Sequence, residues 1–144
     1  PTALLYGHGD TVRGLEDQWT PGLDPWAVTE RDGAWYGRGT ADNKGQHLIN
    51  LLALEAVLAT RGRLGFNVKL VIEMAEERGS RGLRDFVAAN RDLLAADVLI
   101  ASDGPRVDPA LPTIATGTRG TFHFDLAVRL RQGGVHSGHW GGLT

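Results

Sequence analysis

The chain has 144 residues, of which 42% are hydrophobic and 22% are charged, and its formal net charge is −2. This length is that of one domain and suffices to bury a core. The near-neutral charge offers no basic surface to nucleic acid or to a membrane, and no run of about 18 apolar residues is present to span a bilayer. We therefore expect neither nucleic-acid nor membrane partners. A cytoplasmic location is a separate expectation. Because cysteine is absent, disulfides and thiolate chemistry are excluded, and any metal must be bound by His, Asp and Glu.

Short apolar or alternating runs predict strands, and longer runs with helical spacing predict helices. They alternate along the chain, which predicts an α/β fold whose sheet is built by parallel crossovers. A hairpin is expected around Arg31-Asp32-Gly33, between residues 26–30 and 34–36. In chain order the predicted elements are a buried strand at 2–6, a helix at 43–59, a strand at 67–74, an amphipathic helix at 80–94 and a buried strand at 97–101.

Two of these patterns predict how a helix is buried and where a domain ends. The helix at 43–59 is apolar nearly all round, which predicts burial between the sheet and another layer. Residues 121–130 alternate like a half-exposed strand, unlike the earlier strands, so a domain boundary is expected near Arg119. The chain enters a strand at once and stops without a terminating element, and we therefore expect it to be a piece of a longer protein.

Asp42 lies in the glycine-rich stretch GRGTADNKG at 37–45, directly before the predicted long helix. Glycines allow tight backbone on both sides of this carboxylate, which suits a rigidly held metal ligand. The same position also suits an ordinary helix N-cap. His8 and Asp10 are two residues apart, so in extended chain they share a face and Asp10 can orient the imidazole. Taken alone, a polar turn with a hydrogen-bonded histidine is the more usual explanation of this pair.

Polar side chains follow the carboxyl ends of three predicted strands. They are His8, the adjacent pair Glu76-Glu77, and Asp103, with Asp42 at the start of the helix beside them. Ligands bind outside the carboxyl ends of strands in open α/β sheets. Carboxylates grouped there would repel one another without cations, which predicts two divalent metals. Imidazole plus carboxylates suits zinc, and manganese or cobalt accept the same ligands. One carboxylate can bridge two such metals, and one of two adjacent glutamates can take a proton from water.

Six motifs in one order and spacing resemble a known family. They are HGDT, GRGTADNKG, EERGS, SDG, GTRG and HSGHWGG. Together they resemble the co-catalytic zinc metallopeptidases, which include carnosinase, other dipeptidases, aminoacylase and glutamate carboxypeptidase, and the resemblance covers essentially the whole chain. GTRG and HSGHWGG are most similar to the carnosinase and dipeptidase branch. The resemblance implies hydrolysis of a peptide bond in dipeptides or short peptides, by a water that bridges two metals.

The resemblance also implies a role for each site residue. His8 and Asp103 would ligate one zinc, Asp42 would bridge both, and Glu77 would ligate the second. Glu76 would be the general base and Asp10 would orient His8. A cis peptide is implied between Asp42 and Asn43. Residues 1–119 would belong to the catalytic domain.

Residues 120–144 would begin a lid domain that makes a homodimer in the full-length protein. There His136 would reach a neighbouring subunit's site and polarise the substrate carbonyl, and Arg119 would contact substrate. His139 receives no role. The family's second zinc takes a further histidine from after the lid, which this chain does not contain.

Three alternatives remain open at this point. The chain can be an N-acyl-amino-acid deacylase of the same family. It can also be a non-catalytic piece that folds and serves as an interaction module. Magnesium-dependent phosphoryl chemistry fits less well, because no GxxxxGKS loop is present and His8 is a poor magnesium ligand.

Overall fold

The structure is a computed structural model that describes residues 1–108, 110–117, 119–128, 133–134 and 136–139. It separates into two compact units, Pro1–Arg106 and Val107–Thr144. The predicted boundary near Arg119, between domains at 1–119 and 120–144, stays a prediction.

The first unit is built on a three-stranded parallel sheet. Strand β1 (Thr2–His8) lies in the centre, between β4 (Asn67–Glu73) and β5 (Val98–Ala101). β1 supplies the buried apolar residues Ala3 and Leu5. All three strands run in the same direction, so their carboxyl ends meet at one edge. The predicted α/β fold with parallel crossovers is confirmed, and β1 continues two residues beyond its predicted end.

Helix α1 (Lys44–Arg61) packs against β1. It runs two residues further than predicted, and the Thr60 hydroxyl donates to the Ala56 carbonyl within the last turn. Gly62 then ends the helix in the left-handed region, at φ 69°, and its N–H donates to the Leu58 carbonyl. This is the usual glycine C-cap.

The predicted burial of α1 on all sides is wrong for this chain. No residue of α1 is buried, and Ile49 and Leu52 are about half exposed, at 53% and 52%. β5 is likewise exposed along its length, and β4 is only half-buried, although burial was predicted for β5. The physical reason is geometric. β4 and β5 each have one neighbour in the sheet, and only β1 has two.

The single helix predicted at 80–94 is wrong, because the chain forms two shorter helices there. They are α2 (Leu83–Ala89) and α3 (Arg91–Leu94). Asn90 leaves helical geometry at φ −121° and ψ 31°, and its side-chain amide donates to the Phe86 carbonyl. Such local side-chain bonds compete with helix continuation.

The predicted hairpin is confirmed. It consists of β2 (Thr29–Arg31) and β3 (Ala34–Tyr36), which pair antiparallel. Its two turn residues, Asp32 and Gly33, have φ of 53° and 74°. Positive φ at both central positions is what a two-residue turn matching the strand twist requires, and Asp-Gly is a favoured pair for it.

The strand predicted at 121–130 is not found at its described residues, 121–128, and the remainder of that prediction lies outside the described residues. Residues 121–128 are exposed, and they pair with no other described strand. Strands are stabilised by pairing, so an alternating pattern without a partner does not suffice. None of the helices in the described residues is long and apolar enough to cross a membrane.

Candidate metal centre

His8 is the last residue of β1, and its side chain is completely buried. Its Nδ1 lies 3.2 Å from the Asp10 carbonyl and 3.4 Å from Asp10 Oδ1. With its proton directed there, the ring presents the Nε2 lone pair on the opposite side. Nε2 lies 2.9 Å from Asp42 Oδ1, 3.8 Å from Glu76 Oε2 and 3.7 Å from Asp103 Oδ1. A buried imidazole therefore faces three carboxylates that come from three separate segments of the chain.

Asp42 reaches this cluster from the turn before α1. Gly39 in that turn has φ 83°, a conformation that side chains rarely adopt. The peptide bond between Asp42 and Asn43 is cis, as expected from the family resemblance. The Asp42 side chain remains 66% exposed, so one of its sides is open to solvent or substrate.

Asp10 organises a second part of the cluster. Its carboxylate accepts the backbone N–H of Glu76 at 3.2 Å and that of Glu77 at 3.3 Å. These residues begin a single 3₁₀ turn, Glu76–Arg78, that follows β4. The first N–H groups of a turn have no partner within it, so the Asp10 oxygens act as its cap. Asp10 thus contacts both the histidine and the two glutamates of the cluster.

Five side chains of the cluster fall into two overlapping groups whose ligand atoms lie within 4.8 Å of one another. One group is His8, Asp42 and Glu77, and the other is His8, Glu76 and Asp103. One imidazole nitrogen with several carboxylate oxygens is the donor set that zinc, manganese and cobalt accept. The residues present therefore fit a divalent metal.

The charges of the cluster act on the protonation of two groups. Burial by itself lowers the pKa of His8, but Asp103, the Asp10 carbonyl and Asp42 outweigh it and raise the pKa above its ordinary value. The pKa of Glu76 is raised, first by burial and then by the negative charge of Asp103. Negative charge thus accumulates around one imidazole, which is the condition that a cation relieves.

Asn43, for which the sequence predicted no contact with the site residues other than Asp42, is completely buried beside the cluster. Its side-chain oxygen accepts the backbone N–H of His8 at 3.0 Å. Its side-chain nitrogen donates to the Ser102 carbonyl at 2.5 Å and to Asp103 Oδ1 at 3.0 Å. Asn43 therefore joins the carboxyl ends of β1 and β5. The available signal was its position, directly after Asp42 in a stretch already singled out.

A second contact that the sequence did not predict involves the Glu73 carboxylate. The Tyr6 hydroxyl donates to Glu73 Oε1 at 2.5 Å, and the Ser80 hydroxyl donates to the same oxygen at 2.8 Å. Burial and the neighbouring Glu73 carboxylate raise the pKa of Tyr6. Since Glu73 precedes the Glu76–Arg78 turn and Ser80 follows it, this carboxylate ties together the two ends of the segment that carries Glu76 and Glu77.

Two predicted site residues lie in the second unit, where Arg119 and His136 are both exposed. His136 Nδ1 accepts the backbone N–H of Gly138 at 3.1 Å, within the turn Ser137–His139. Their roles toward substrate stay predictions. His47 is half-buried, with Nδ1 3.3 Å from Asn43 Oδ1.

Comparison with known proteins agrees with this geometry. Residues 4–131 match the profile of Peptidase family M20/M25/M40, and the chain belongs to this family. A cysteinylglycine-S-conjugate dipeptidase of Corynebacterium striatum is 42% identical over 146 residues, a match that covers all of this chain and 31% of the relative. The chain thus spans about a third of the length of that relative.

Two solved structures are similar to the fold. Human carnosine dipeptidase 1 superimposes with a TM-score of 0.65 at 37% identity, over 74% of this chain and 23% of that one. A metallo-carboxypeptidase of the M20 family from Sulfolobus solfataricus superimposes with a TM-score of 0.67 at 35% identity, over 75% of this chain and 24% of that one. The predicted family is confirmed, and membership implies use of a divalent metal.

Proposed function

We propose that this chain supplies most of the catalytic centre of a metal-dependent dipeptidase. The observation that carries the proposal is the buried His8, whose Nε2 lies 2.9–3.8 Å from Asp42, Glu76 and Asp103 at the carboxyl edge of the sheet. The names of the relatives support a dipeptide substrate, since both the Corynebacterium striatum and the human protein are dipeptidases.

In this proposal His8, Asp42, Glu77 and Asp103 would hold two divalent metals, with Asp42 as the ligand that both would share. We infer zinc as the metal, with manganese or cobalt as the ions that the same donors accept. When bound, such a metal pair polarises the scissile carbonyl and lowers the pKa of water. Asp10 keeps the His8 ring in place through its contacts to Nδ1.

Glu76 is the proposed general base. Its Oε2 faces the cluster, 3.8 Å from His8 Nε2, and the side chain is only half-buried, so a water molecule can approach it. It would take the proton of the attacking water and pass it to the nitrogen of the leaving amine, which departs as the peptide bond breaks. One water molecule is thus added across one amide bond, which gives a carboxylic acid and an amine.

Arg119 and His136 contact the substrate, and His136 acts in the site of a neighbouring subunit of a homodimer. A carboxypeptidase acting on short peptides is a close variant of this function, and the M20 metallo-carboxypeptidase of Sulfolobus solfataricus is the relative that favours it. N-acyl-amino-acid deacylation and a non-catalytic interaction role remain the alternatives. The cytoplasmic location stays a prediction.

The test replaces Glu76 in the full-length protein. Glu76→Gln keeps the shape of the side chain but removes the basic oxygen, so dipeptide hydrolysis should fall by about 100-fold to 10,000-fold or more. Bound metal, measured by elemental analysis, should stay near the wild-type content. Glu55→Gln, an exposed change on α1, is the matched control and should leave both unchanged. Loss of bound metal together with turnover would assign Glu76 to metal binding instead, and retained turnover would rule it out as the general base.

A further inference from the structure

A row of three side-chain amides at the start of helix α1 faces the end of β5. Asn43 precedes the helix, and Gln46 and Asn50 follow at spacings of three and four residues. Side chains at this spacing lie on one face of a helix. We call Asn43, Gln46 and Asn50 the amide row.

Each member of the amide row is bonded to the segment Ser102–Asp103–Gly104. Asn43 Nδ2 donates to the Ser102 carbonyl at 2.5 Å and to Asp103 Oδ1 at 3.0 Å. Gln46 Oε1 accepts the backbone N–H of Gly104 at 3.3 Å. Asn50 Nδ2 donates to Ser102 Oγ at 3.0 Å. The amide row therefore bonds to three consecutive residues: Asn43 to Asp103 itself, and Asn50 and Gln46 to the residues on either side of it.

The segment that receives these bonds lies beyond the end of the sheet. β5 ends at Ala101, and the described residues 102–106 have no regular secondary structure. β5 itself is a four-residue strand that is exposed along its length. Asp103 also sits near Glu76 and Asp42, whose negative charges favour movement of its carboxylate toward solvent. Asp103 Oδ1 lies 3.7 Å from His8 Nε2, and Asn43 Nδ2 donates to the same oxygen.

We infer that the amide row places the Asp103 carboxylate, so that Gln46 and Asn50 are positioning residues of the metal centre although neither is a candidate ligand. The inference rests on the proposed metal-dependent function. Groups that orient metal ligands typically contribute about 10-fold to 100-fold to metal affinity.

The experiment compares Gln46→Met, Asn50→Leu and the double variant with wild type in the full-length protein. Each substitution keeps the size of the side chain and removes its hydrogen-bonding atoms. Glu55→Met, exposed on the same helix, is the control for placing methionine on α1. Zinc affinity is measured by competition with a chromophoric chelator, and the melting temperature is measured without metal. A crystal structure of the metal-free double variant gives the distance from Asp103 Oδ1 to His8 Nε2.

We expect zinc affinity to fall by about 10-fold or more in the double variant and to stay unchanged in Glu55→Met. Asp103 should move away from His8 in the crystal structure. Wild-type affinity and an unmoved Asp103, with only a lower melting temperature, would reduce the amide row to a structural role and overturn the inference. If wild type itself binds no zinc, the proposed function fails, while the position of Asp103 in the variant still decides the inference. Should the double variant not fold, Gln46→Met alone is decisive, since it removes only the bond to Gly104.

Discussion

At the scale of single residues, Asp10 does more than orient His8. Its carbonyl and carboxylate hold His8 Nδ1, and its two carboxylate oxygens also cap the backbone of Glu76 and Glu77. A charge-assisted bond from a carboxylate to backbone N–H groups is among the stronger hydrogen bonds in proteins. Asp10 therefore couples the position of the histidine to that of both glutamates.

We predict that Asp10→Asn weakens metal binding by about 10-fold to 100-fold. Asparagine keeps one acceptor oxygen but places an NH₂ group against the second backbone N–H. Amide hydrogen exchange at Glu76 and Glu77 should therefore become faster. Asp17→Asn, an exposed change in the turn Glu16–Gln18, serves as the control. Unchanged exchange and unchanged affinity in Asp10→Asn would show that the cap is dispensable.

Tyr6 gives a second prediction at this scale, because its hydroxyl is bonded to the Glu73 carboxylate. Tyr6→Phe should lower the free energy of unfolding by about 1.5–3 kcal/mol at neutral pH, as expected for a hydrogen bond to a charged group. Urea unfolding measures this loss. Tyr36→Phe, at an exposed tyrosine of β3, is the matched control and should change little.

The same tyrosine predicts a pH dependence. The folded state raises the pKa of Tyr6 above its ordinary 10.0, so the unfolded chain releases this proton first. Above pH 10 the unfolded state thus binds fewer protons than the folded state, and the free energy of unfolding falls as pH rises. The extra fall should approach about 1.4 kcal/mol per pH unit and be missing from Tyr6→Phe. Parallel pH curves for wild type and variant would contradict this account of Tyr6.

At the scale of elements, the start of α1 depends on close approach between the helix and the glycine-rich turn. A Cβ on Gly45 would overlap the backbone carbonyl oxygen of Thr40, which has no freedom to rotate away. The turn is fixed here by two further bonds, from Thr40 N–H to the Gly37 carbonyl and from Lys44 N–H to the Gly39 carbonyl. The packing that brings Asp42 to His8 therefore requires glycine at position 45.

We predict that Gly45→Ala destabilises the chain by about 1–3 kcal/mol through this overlap. The direction is informative, because alanine inside a helix is otherwise favoured over glycine by about 1 kcal/mol. Chemical denaturation of wild type and variant measures the difference. Gly117→Ala, where an added Cβ meets nothing within 4 Å, is the control. A stabilised Gly45→Ala would mean that the turn yields easily and does not fix Asp42.

Only part of the fold and of the site could be predicted from the sequence. The parallel sheet, the hairpin and the convergence of His8, Glu76 and Asp103 were predictable, since hydrophobic period and turn residues are local signals and strand ends share one edge. The break at Asn90 was missed because it depends on a side-chain bond that competes with the helix. The exposure of α1 was missed because an apolar sequence predicts what a helix can bury, without showing what covers it. The amide row was missed because ordinary Asn and Gln in a helix carry no distinct signal.

At the scale of the whole molecule, a nearly neutral chain concentrates negative charge at one sheet edge. The net charge is −2, yet Asp42, Glu76 and Asp103 lie within 3.8 Å of one imidazole. Such an arrangement is costly unless cations or protons offset it. We therefore expect the folded chain to bind divalent metal at this edge.

Zinc stoichiometry at neutral pH, measured for wild type beside Asp42→Ala, tests this claim most directly. Asp42 is the proposed bridge between the metals and is 66% exposed, so its removal should cost binding rather than folding. Asp92→Ala, at an exposed carboxylate of α3, controls for the loss of one charge. We predict bound zinc in wild type and in Asp92→Ala and its loss in Asp42→Ala, with all three proteins folded by circular dichroism. Absence of zinc from folded wild type, or equal zinc in Asp42→Ala, would contradict the claim that this cluster is a metal centre.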